Sequence, residues 1–133
     1  MPQKKEDVPY LNFAPLQNAI VKVAEAAANY RSAAALNTLD QNSIIELDKI
    51  LIQTERRLTL TSGLPRRDWF KHQIYAPGFY TGYGVKTLPG VREAIEQRNW
   101  SEAEAQIKVL AQVLENFANE INLARQKIES KKQ

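Results

Sequence analysis

The sequence predicts an all-α protein of 133 residues, an up-and-down four-helix bundle with one long ordered loop between its second and third helices. Three observations support this prediction. Apolar residues recur at spacings of three and four in three long stretches, as they do on one face of a helix. No stretch shows the strict alternation of apolar and polar residues that is typical of strands. All five glycines lie between residues 63 and 90, so the other segments lack this helix-weakening residue.

The chain begins with a lead-in tail, residues 1–12, which is polar at first and then extended. The first helix is predicted from Phe13, with Pro15 in the first turn, where a missing N–H costs no hydrogen bond. Its predicted buried face is a stripe at helical spacing: Leu16, Ile20, Val23, Ala27, Tyr30 and Ala34. A stripe of this kind has to be buried against neighbouring helices.

A polar break at residues 37–42 separates the second helix from the first. Asp40 and Ser43 are both candidate N-caps, the latter with Glu46 in the capping-box position, and the sequence does not choose between them. The predicted buried stripe is Ile44, Leu47, Leu51, Thr54 and Leu58. We expect the helix to end near Thr61, because Gly63 and the proline after it are typical stop signals.

The last two helices follow the loop. A short third helix is predicted from Val91 to Arg98, and a capping box at Ser101 and Glu104 predicts the start of the fourth. The fourth helix carries the clearest apolar seam in the chain: Ala103, Ile107, Leu110, Leu114, Phe117, Ile121, Ala124 and Ile128. Three further apolar residues lie off this seam and indicate either a wide core stripe or a partner surface: Val109, Val113 and Leu123.

Composition narrows the possible functions. With no cysteine and one histidine, the chain lacks the residues for a disulfide or a histidine-based zinc site. The net charge of +3 is small, which indicates a solvated surface and not a nucleic-acid interface. No apolar run reaches the roughly 18 residues of a membrane span, and the opening MPQKKED is too polar for a secretory signal. We therefore expect one domain over residues 1–133, with no catalytic residue, no metal, no membrane contact and no nucleic-acid partner.

The segment 63–90 is the candidate functional loop. Connections longer than about 12 to 15 residues are normally binding surfaces, lids or disordered linkers. The aromatic content argues for order, so we expect a shaped loop. The residues expected to shape it are Trp69, His72, Tyr75, Pro77, Gly78, Tyr80, Gly84 and Pro89. His72 has Asp68 nearby for acid–base work, but without a nucleophile or second base a structural hydrogen bond is the favoured role.

Several motifs in this loop resemble those of a known family. They are Gly63-Leu-Pro65, the string WFKHQIYAP at residues 69–77, Tyr83, and Leu88-Pro-Gly-Val91. Together they resemble the C-terminal helical domain of the glutamate carboxypeptidase II and transferrin receptor family, and residues 8–35 and 44–60 are similar to its first two helices. The resemblance implies a transferrin receptor-like dimerisation domain, a four-helix bundle that follows a zinc-dependent peptidase domain in full-length members.

The resemblance also implies partners and site residues. Homodimer contacts would run through the bundle, the zinc ions would belong to a peptidase domain of the same polypeptide, and the parent protein would be extracytoplasmic. The loop would reach toward the substrate pocket, where a Lys-Tyr pair of glutamate carboxypeptidase II aligns with Gly82 and Tyr83. The substrate-binding positions implied here therefore keep the tyrosine hydroxyl and lack the ammonium. Whether Lys86 replaces that ammonium is left open by the sequence.

Two functions therefore compete. The first is a non-catalytic dimerisation domain of a glutamate carboxypeptidase-like zinc metallopeptidase, with a loop in the substrate pocket. The second is a free-standing helical binding module whose basic aromatic loop receives an acidic partner or nucleic acid, through Arg66, Arg67, Lys71 and Lys86. An enzyme that uses His72 is the least supported alternative.

Overall fold

A computed structural model of the protein describes residues 6–80 and 84–130. Within these ranges the chain is mostly helical, as predicted, with four helices and one small sheet. The helices are α1 (Ala14–Leu36), α2 (Gln41–Arg57), α3 (Pro89–Glu96) and α4 (Trp100–Glu129), and the strands are β1 (Tyr75–Pro77) and β2 (Val85–Thr87). Residues 6–13 of the lead-in tail form neither helix nor strand.

Helix α4 is the centre of the fold, because α1, α2 and α3 all pack against it. The start of α1 lies at the start of α4, where Leu16 and Ile107 share one core cluster. The end of α1 lies at the end of α4, where Ala33 and Ala124 share a second cluster. Helices α1 and α4 therefore run in the same direction, whereas a strictly up-and-down order makes the first and fourth helices antiparallel.

Helix α2 runs in the opposite direction to α4. Leu47, near the start of α2, packs with Ile128 at the end of α4, and Arg57 binds Glu120 at 2.7 Å. At 1.5 Å per residue the 17 residues of α2 span about 25 Å, while the 30 residues of α4 span about 45 Å. The long loop and α3 cover the part of α4 that α2 does not reach. Because the loop and α3 bring the chain back to the end of the molecule where α1 begins, α4 runs parallel to α1.

The core is divided between the two halves of α4. The first cluster joins the lead-in, α1, α3 and the first half of α4: Leu11, Leu16, Val91, Ala94, Ala103, Ile107 and Leu110. Ile74 and Leu88 of the loop pack against it. The second cluster joins the ends of α1 and α4 to α2: Ala33, Leu47, Ala124 and Ile128. The loop is thus part of the first core and is not merely attached to it.

The buried face of α1 differs from the predicted stripe. The buried residues are Leu16, Ala19, Ala26 and Ala33. Ile20 is 51% exposed and Ala34 is also exposed. Alanine side chains allow the backbone of α1 to approach α4 closely, so the face richest in alanine is turned inward and the bulkier residues lie toward its edge.

The apolar seam of α4 is buried at both ends and more open in the middle. Its buried members are Ala103, Ile107, Leu110, Ala124 and Ile128, while Leu114, Phe117 and Ile121 are half-buried. Phe117 and Ile121 line an apolar groove of about 490 Å³ between α1 and α2. Among the residues off the seam, Val113 is buried and belongs to a wide core stripe, whereas Leu123 is 49% exposed.

Several helix ends are also corrected. Asp40 caps α2, because its Oδ1 accepts the Ser43 N–H at 2.7 Å. Helix α2 ends at Arg57, earlier than predicted, since the following backbone pairs with the loop. Helix α3 begins and ends two residues earlier than predicted.

The start of α4 also differs from the prediction. Trp100, predicted as part of a break, is its first residue. The cap is Asn99 and not Ser101, because Asn99 Oδ1 accepts the Glu102 N–H at 3.2 Å.

The loop contains a two-stranded antiparallel sheet that the sequence did not predict. Its register pairs Tyr75 with Thr87, Ala76 with Lys86 and Pro77 with Val85. Strands of three residues are too short for an alternating pattern to be visible in the sequence. The sheet makes the middle of the loop a hairpin that stands beside α3.

Candidate functional site

The loop begins with a tight turn at residues 63–68. Gly63 has a φ of 69°, and a Cβ at this position would lie 2.4 Å from the Asp68 carbonyl oxygen, so only glycine fits without rearrangement. Leu64 and Arg67 then exchange backbone hydrogen bonds, with Arg66 between them at a φ of 60°. This geometry directs two consecutive arginines to different environments.

The next segment is fixed to the end of α2. Leu60 N–H donates to the Lys71 carbonyl at 2.8 Å, and Gln73 N–H donates to the Leu58 carbonyl at 2.9 Å. Trp69, in the stretch between, is largely exposed and tilts against Phe70 with ring centres 6.1 Å apart. These bonds explain why α2 stops early.

Both ring nitrogens of His72 are engaged. Its Nδ1 accepts the Ile74 N–H at 3.2 Å, so the proton lies on Nε2, which donates to Glu55 Oε1 at 3.1 Å. The imidazole also stacks on Tyr75 with ring centres 4.1 Å apart. This environment is that of a structural hydrogen-bonder.

The tip of the hairpin follows β1. Gly78 is buried and its N–H donates to the Gly84 carbonyl at 2.8 Å, which joins the two sides of the tip. Tyr80 is 79% exposed and meets Phe79 edge to face at 4.9 Å. The implied substrate-binding positions, Gly82 and Tyr83, lie outside the described residues. The structure therefore describes residues 78–80 and 84, on either side of these positions.

A buried ion pair joins the hairpin to α3. Arg67 Nη2 donates to Glu93 Oε2 at 2.8 Å, and both side chains are less than 10% exposed. Arg67 Nη1 donates to the Pro77 carbonyl at 2.5 Å, and Glu93 Oε1 accepts the Phe79 N–H at 3.2 Å. Rings of Phe70 and Phe79 lie 5.4 and 5.3 Å from the guanidinium carbon. The pair contacts the backbone on both sides of Gly78.

A second ion pair holds the other strand. Lys86 Nζ binds both carboxylate oxygens of Glu96, at 2.9 and 3.0 Å. Its hydrogen bond, followed by that of Arg92, lowers the pKa of Glu96 below its ordinary value. Lys86 is thus occupied by α3. Pro89, the first residue of that helix, is buried, and the residue before it has a φ of 47°.

The remaining cations expected at the loop surface also have partners within the chain. Arg66 makes a bidentate pair with Glu102, at 2.7 and 3.2 Å, which raises the pKa of the guanidinium. Lys71 Nζ donates to the Thr61 carbonyl at 2.5 Å. The sequence analysis named the basic residue of each ion pair in the loop but did not identify its acidic partner. The only available signal was the spacing of Glu93 and Glu96, which places both on one helix face.

The described part of the chain offers no group of three or more metal-ligating side chains. The candidate ligands around the loop do not fit a zinc site. His72 is hydrogen-bonded through both ring nitrogens, and Glu93, Glu96 and Glu102 are each paired with a cation. Among the helices of the described residues, none is long and apolar enough to cross a membrane.

Comparison with known proteins gives one family and several relatives. Residues 11–122 match the family described as the transferrin receptor-like dimerisation domain. A probable glutamate carboxypeptidase of Arthroderma benhamiae is 34% identical over 98 residues, which are 71% of this chain and 14% of that protein. A probable glutamate carboxypeptidase of Arabidopsis thaliana is 41% identical over 69 residues, 47% of this chain and 10% of that protein.

A third relative is an inactive zinc metalloprotease of Schizosaccharomyces pombe. It is 30% identical over 74 residues, which are 56% of this chain and 9% of that protein. The chain therefore spans a small fraction, 9% to 14%, of the length of these relatives.

Proposed function

Because this chain belongs to the transferrin receptor-like dimerisation domain family, we propose that it is the non-catalytic dimerisation domain of a glutamate carboxypeptidase-like zinc metallopeptidase. The whole of residues 1–133 would form this one domain. Zinc and the catalytic residues would belong to a peptidase domain of the same polypeptide, as the names of the relatives suggest. The part played by this chain is to bring two copies together and to contribute its loop to the substrate pocket.

The observation that carries the dimer proposal is the apolar groove between α1 and α2. Phe117 and Ile121 lie in it with Leu51 and Tyr30, so the middle of the α4 seam is only partly covered by the chain's own helices. Exposed apolar side chains also lie on all three long helices: Ile20, Val21, Ile44, Ile45, Ile52 and Leu123. An apolar groove that the chain's own helices leave open is typical of an interface. A second copy that covers the groove would bury these side chains.

The dimer proposal is tested by a charge placed in the groove. Ile121→Lys should weaken dimerisation at least about tenfold, because burying an unpaired ammonium opposes association. Val85→Lys, at an equally apolar but more exposed position on β2, is the matched control and should leave dimerisation unchanged. Analytical ultracentrifugation over a wide concentration range measures both. A wild-type chain that stays monomeric at several hundred micromolar would refute dimerisation by this domain alone.

The loop proposal concerns Tyr83 and Gly82. A phenol that donates to a substrate carboxylate contributes about 1.5 to 3 kcal/mol, so Tyr83→Phe should weaken substrate binding roughly tenfold to a hundredfold. Gly82→Lys should shift preference toward peptides that end in glutamate. Both variants are compared in the protein that includes the peptidase domain, on peptides ending in glutamate and in leucine. If neither variant changes the binding of any of these peptides, the loop does not line the substrate pocket.

The competing function, a free-standing module for an acidic partner or nucleic acid, has weaker support. Arg66, Arg67 and Lys86 each pair with a carboxylate of the same chain, so their charges are already balanced. The exposed Trp69 and Tyr80 remain as stacking surfaces. Absence of a zinc-peptidase domain from the parent polypeptide would favour this alternative.

A further inference from the structure

The buried pair of Arg67 and Glu93 joins the turn at the start of the loop to α3. Only 5% of Arg67 and 6% of Glu93 is exposed. Burying two opposite charges gains little stability over an apolar pair of the same size, because desolvation offsets their attraction. Stability alone therefore gives no reason for an ion pair at this position.

The hydrogen bonds of the pair offer a different reason. The guanidinium binds the Pro77 carbonyl, the last of β1, and the carboxylate binds the N–H of Phe79, two residues later. Two backbone groups on either side of Gly78 are thereby fixed to α3. An apolar pair of equal volume would fill the same space but would leave both backbone groups without these partners.

We propose that Arg67 and Glu93 are positioning residues, which fix the backbone entering the hairpin tip relative to α3. Lys86 and Glu96 hold the other strand in a more exposed pair, so the hairpin is attached to one helix through both of its strands. This inference rests on the proposed function only where the loop is assigned to a substrate pocket. The positioning itself is a property of the isolated chain.

The test separates positioning from stability. The double variant Arg67→Met/Glu93→Leu replaces the ion pair by apolar side chains of similar size and should therefore fold. Because two backbone groups lose their partners, exchange at Phe79 is compared with exchange of the α4 helix amides, which report any loss of global stability. Amide hydrogen exchange followed by NMR should be at least tenfold faster at Phe79, and faster at Gly78, whose bond to Gly84 closes the tip. Wild-type protection of Phe79 in the double variant would overturn the proposal.

A control variant and a conservative variant complete the test. Lys22→Met removes an exposed cation of α1 and its pair with Glu115 of α4, neither of which is in the hairpin, and should leave exchange at Phe79 unchanged. Arg67→Lys keeps the charge without the planar fork that reaches both the Pro77 carbonyl and Glu93. The carboxylate that accepts the Phe79 N–H is then held less firmly, so Phe79 should exchange faster relative to the α4 amides. This conservative variant decides the question if the double variant does not fold, and unchanged exchange at Phe79 in it would also overturn the proposal.

The link to the substrate is tested separately, in the protein with its peptidase domain. If the loop lines the pocket, Arg67→Lys should raise KM several-fold with little change in kcat. Faster exchange at Phe79 with an unchanged KM would leave the positioning role intact and would refute the assignment of the loop to the pocket.

Discussion

At the scale of single residues, the loop depends on one backbone conformation and a few charge pairs. Gly63 combines a positive φ with a backbone oxygen where a Cβ would stand. Arg67 and Glu93 are buried together, and Lys86 holds Glu96. The sequence identified Gly63 as a helix stop, but its tight contact with Asp68 depends on a turn that no local pattern specifies.

Replacing Gly63 by alanine should cost about 1 to 3 kcal/mol of stability, because the residue must keep a positive φ and the Asp68 carbonyl must move. Gly90→Ala is the matched control. A Cβ at Gly90 would meet only the flexible end of Gln106, and alanine favours the helix in which Gly90 lies. Denaturant unfolding measures both, and equal losses would contradict the turn described here.

The pKa of Glu96 provides a second prediction at this scale. Because Lys86 lowers it, the pair stabilises the folded state above the ordinary carboxyl pKa, and this stabilisation is lost as the pH falls through the lowered value. Lys86→Gln should raise the pKa of Glu96 toward its ordinary range. Arg92→Gln should raise it less, since its hydrogen bond has the smaller effect. A carboxyl-carbon NMR titration measures the shift, and a larger effect of Arg92 would contradict the pairing.

At the scale of elements, the sequence predicted the existence of the four helices but not their faces and ends. Apolar spacing identifies a helix, yet it does not say which neighbour a helix will meet. On α1 the inward face is therefore set by Ala19 and Ala26, which permit close approach, and Ile20 is left exposed. The strands of the hairpin were missed because each has three residues and their pairing is a tertiary property.

The N-cap of α2 can be tested by two substitutions. Asp40→Ala should cost about 0.5 to 2 kcal/mol of stability, because the Ser43 N–H loses its acceptor. Ser43→Ala should be neutral or slightly stabilising, since the hydroxyl of Ser43 is buried without a hydrogen-bond partner. Thermal unfolding compares the two variants. The reverse order of effects would make Ser43 the cap.

At the scale of the whole molecule, α4 belongs to both halves of the core. Ile107 and Ile128 lie in different clusters and each is 1% exposed. Ile107→Ala and Ile128→Ala should each cost about 2 to 5 kcal/mol, and unfolding should remain a single transition because one helix joins the clusters. Gln112→Ala, on the exposed side, should cost well under about 1 kcal/mol. Two separate denaturant transitions would contradict this linkage.

The candidate site could be located from the sequence only as a segment. Glycine, proline and aromatic content identified 63–90 as an ordered loop, and its motifs indicated the family that the comparisons now show. The acidic partners on α3 and α4 could not be predicted, because ion pairs between distant segments depend on the fold. Arg67, which the sequence analysis treated as a surface cation, is instead buried in an ion pair with Glu93.

The parallel arrangement of α1 and α4 also determines where a preceding domain would be attached. Leu11 packs in the same cluster as Ile74 and Leu88 of the loop, and Arg98 binds the backbone carbonyl of Glu6. The polypeptide thus arrives beside the hairpin and leaves from the opposite end of α4. A peptidase domain joined upstream would be tethered next to the hairpin, and so would meet it at a high effective concentration without a long linker.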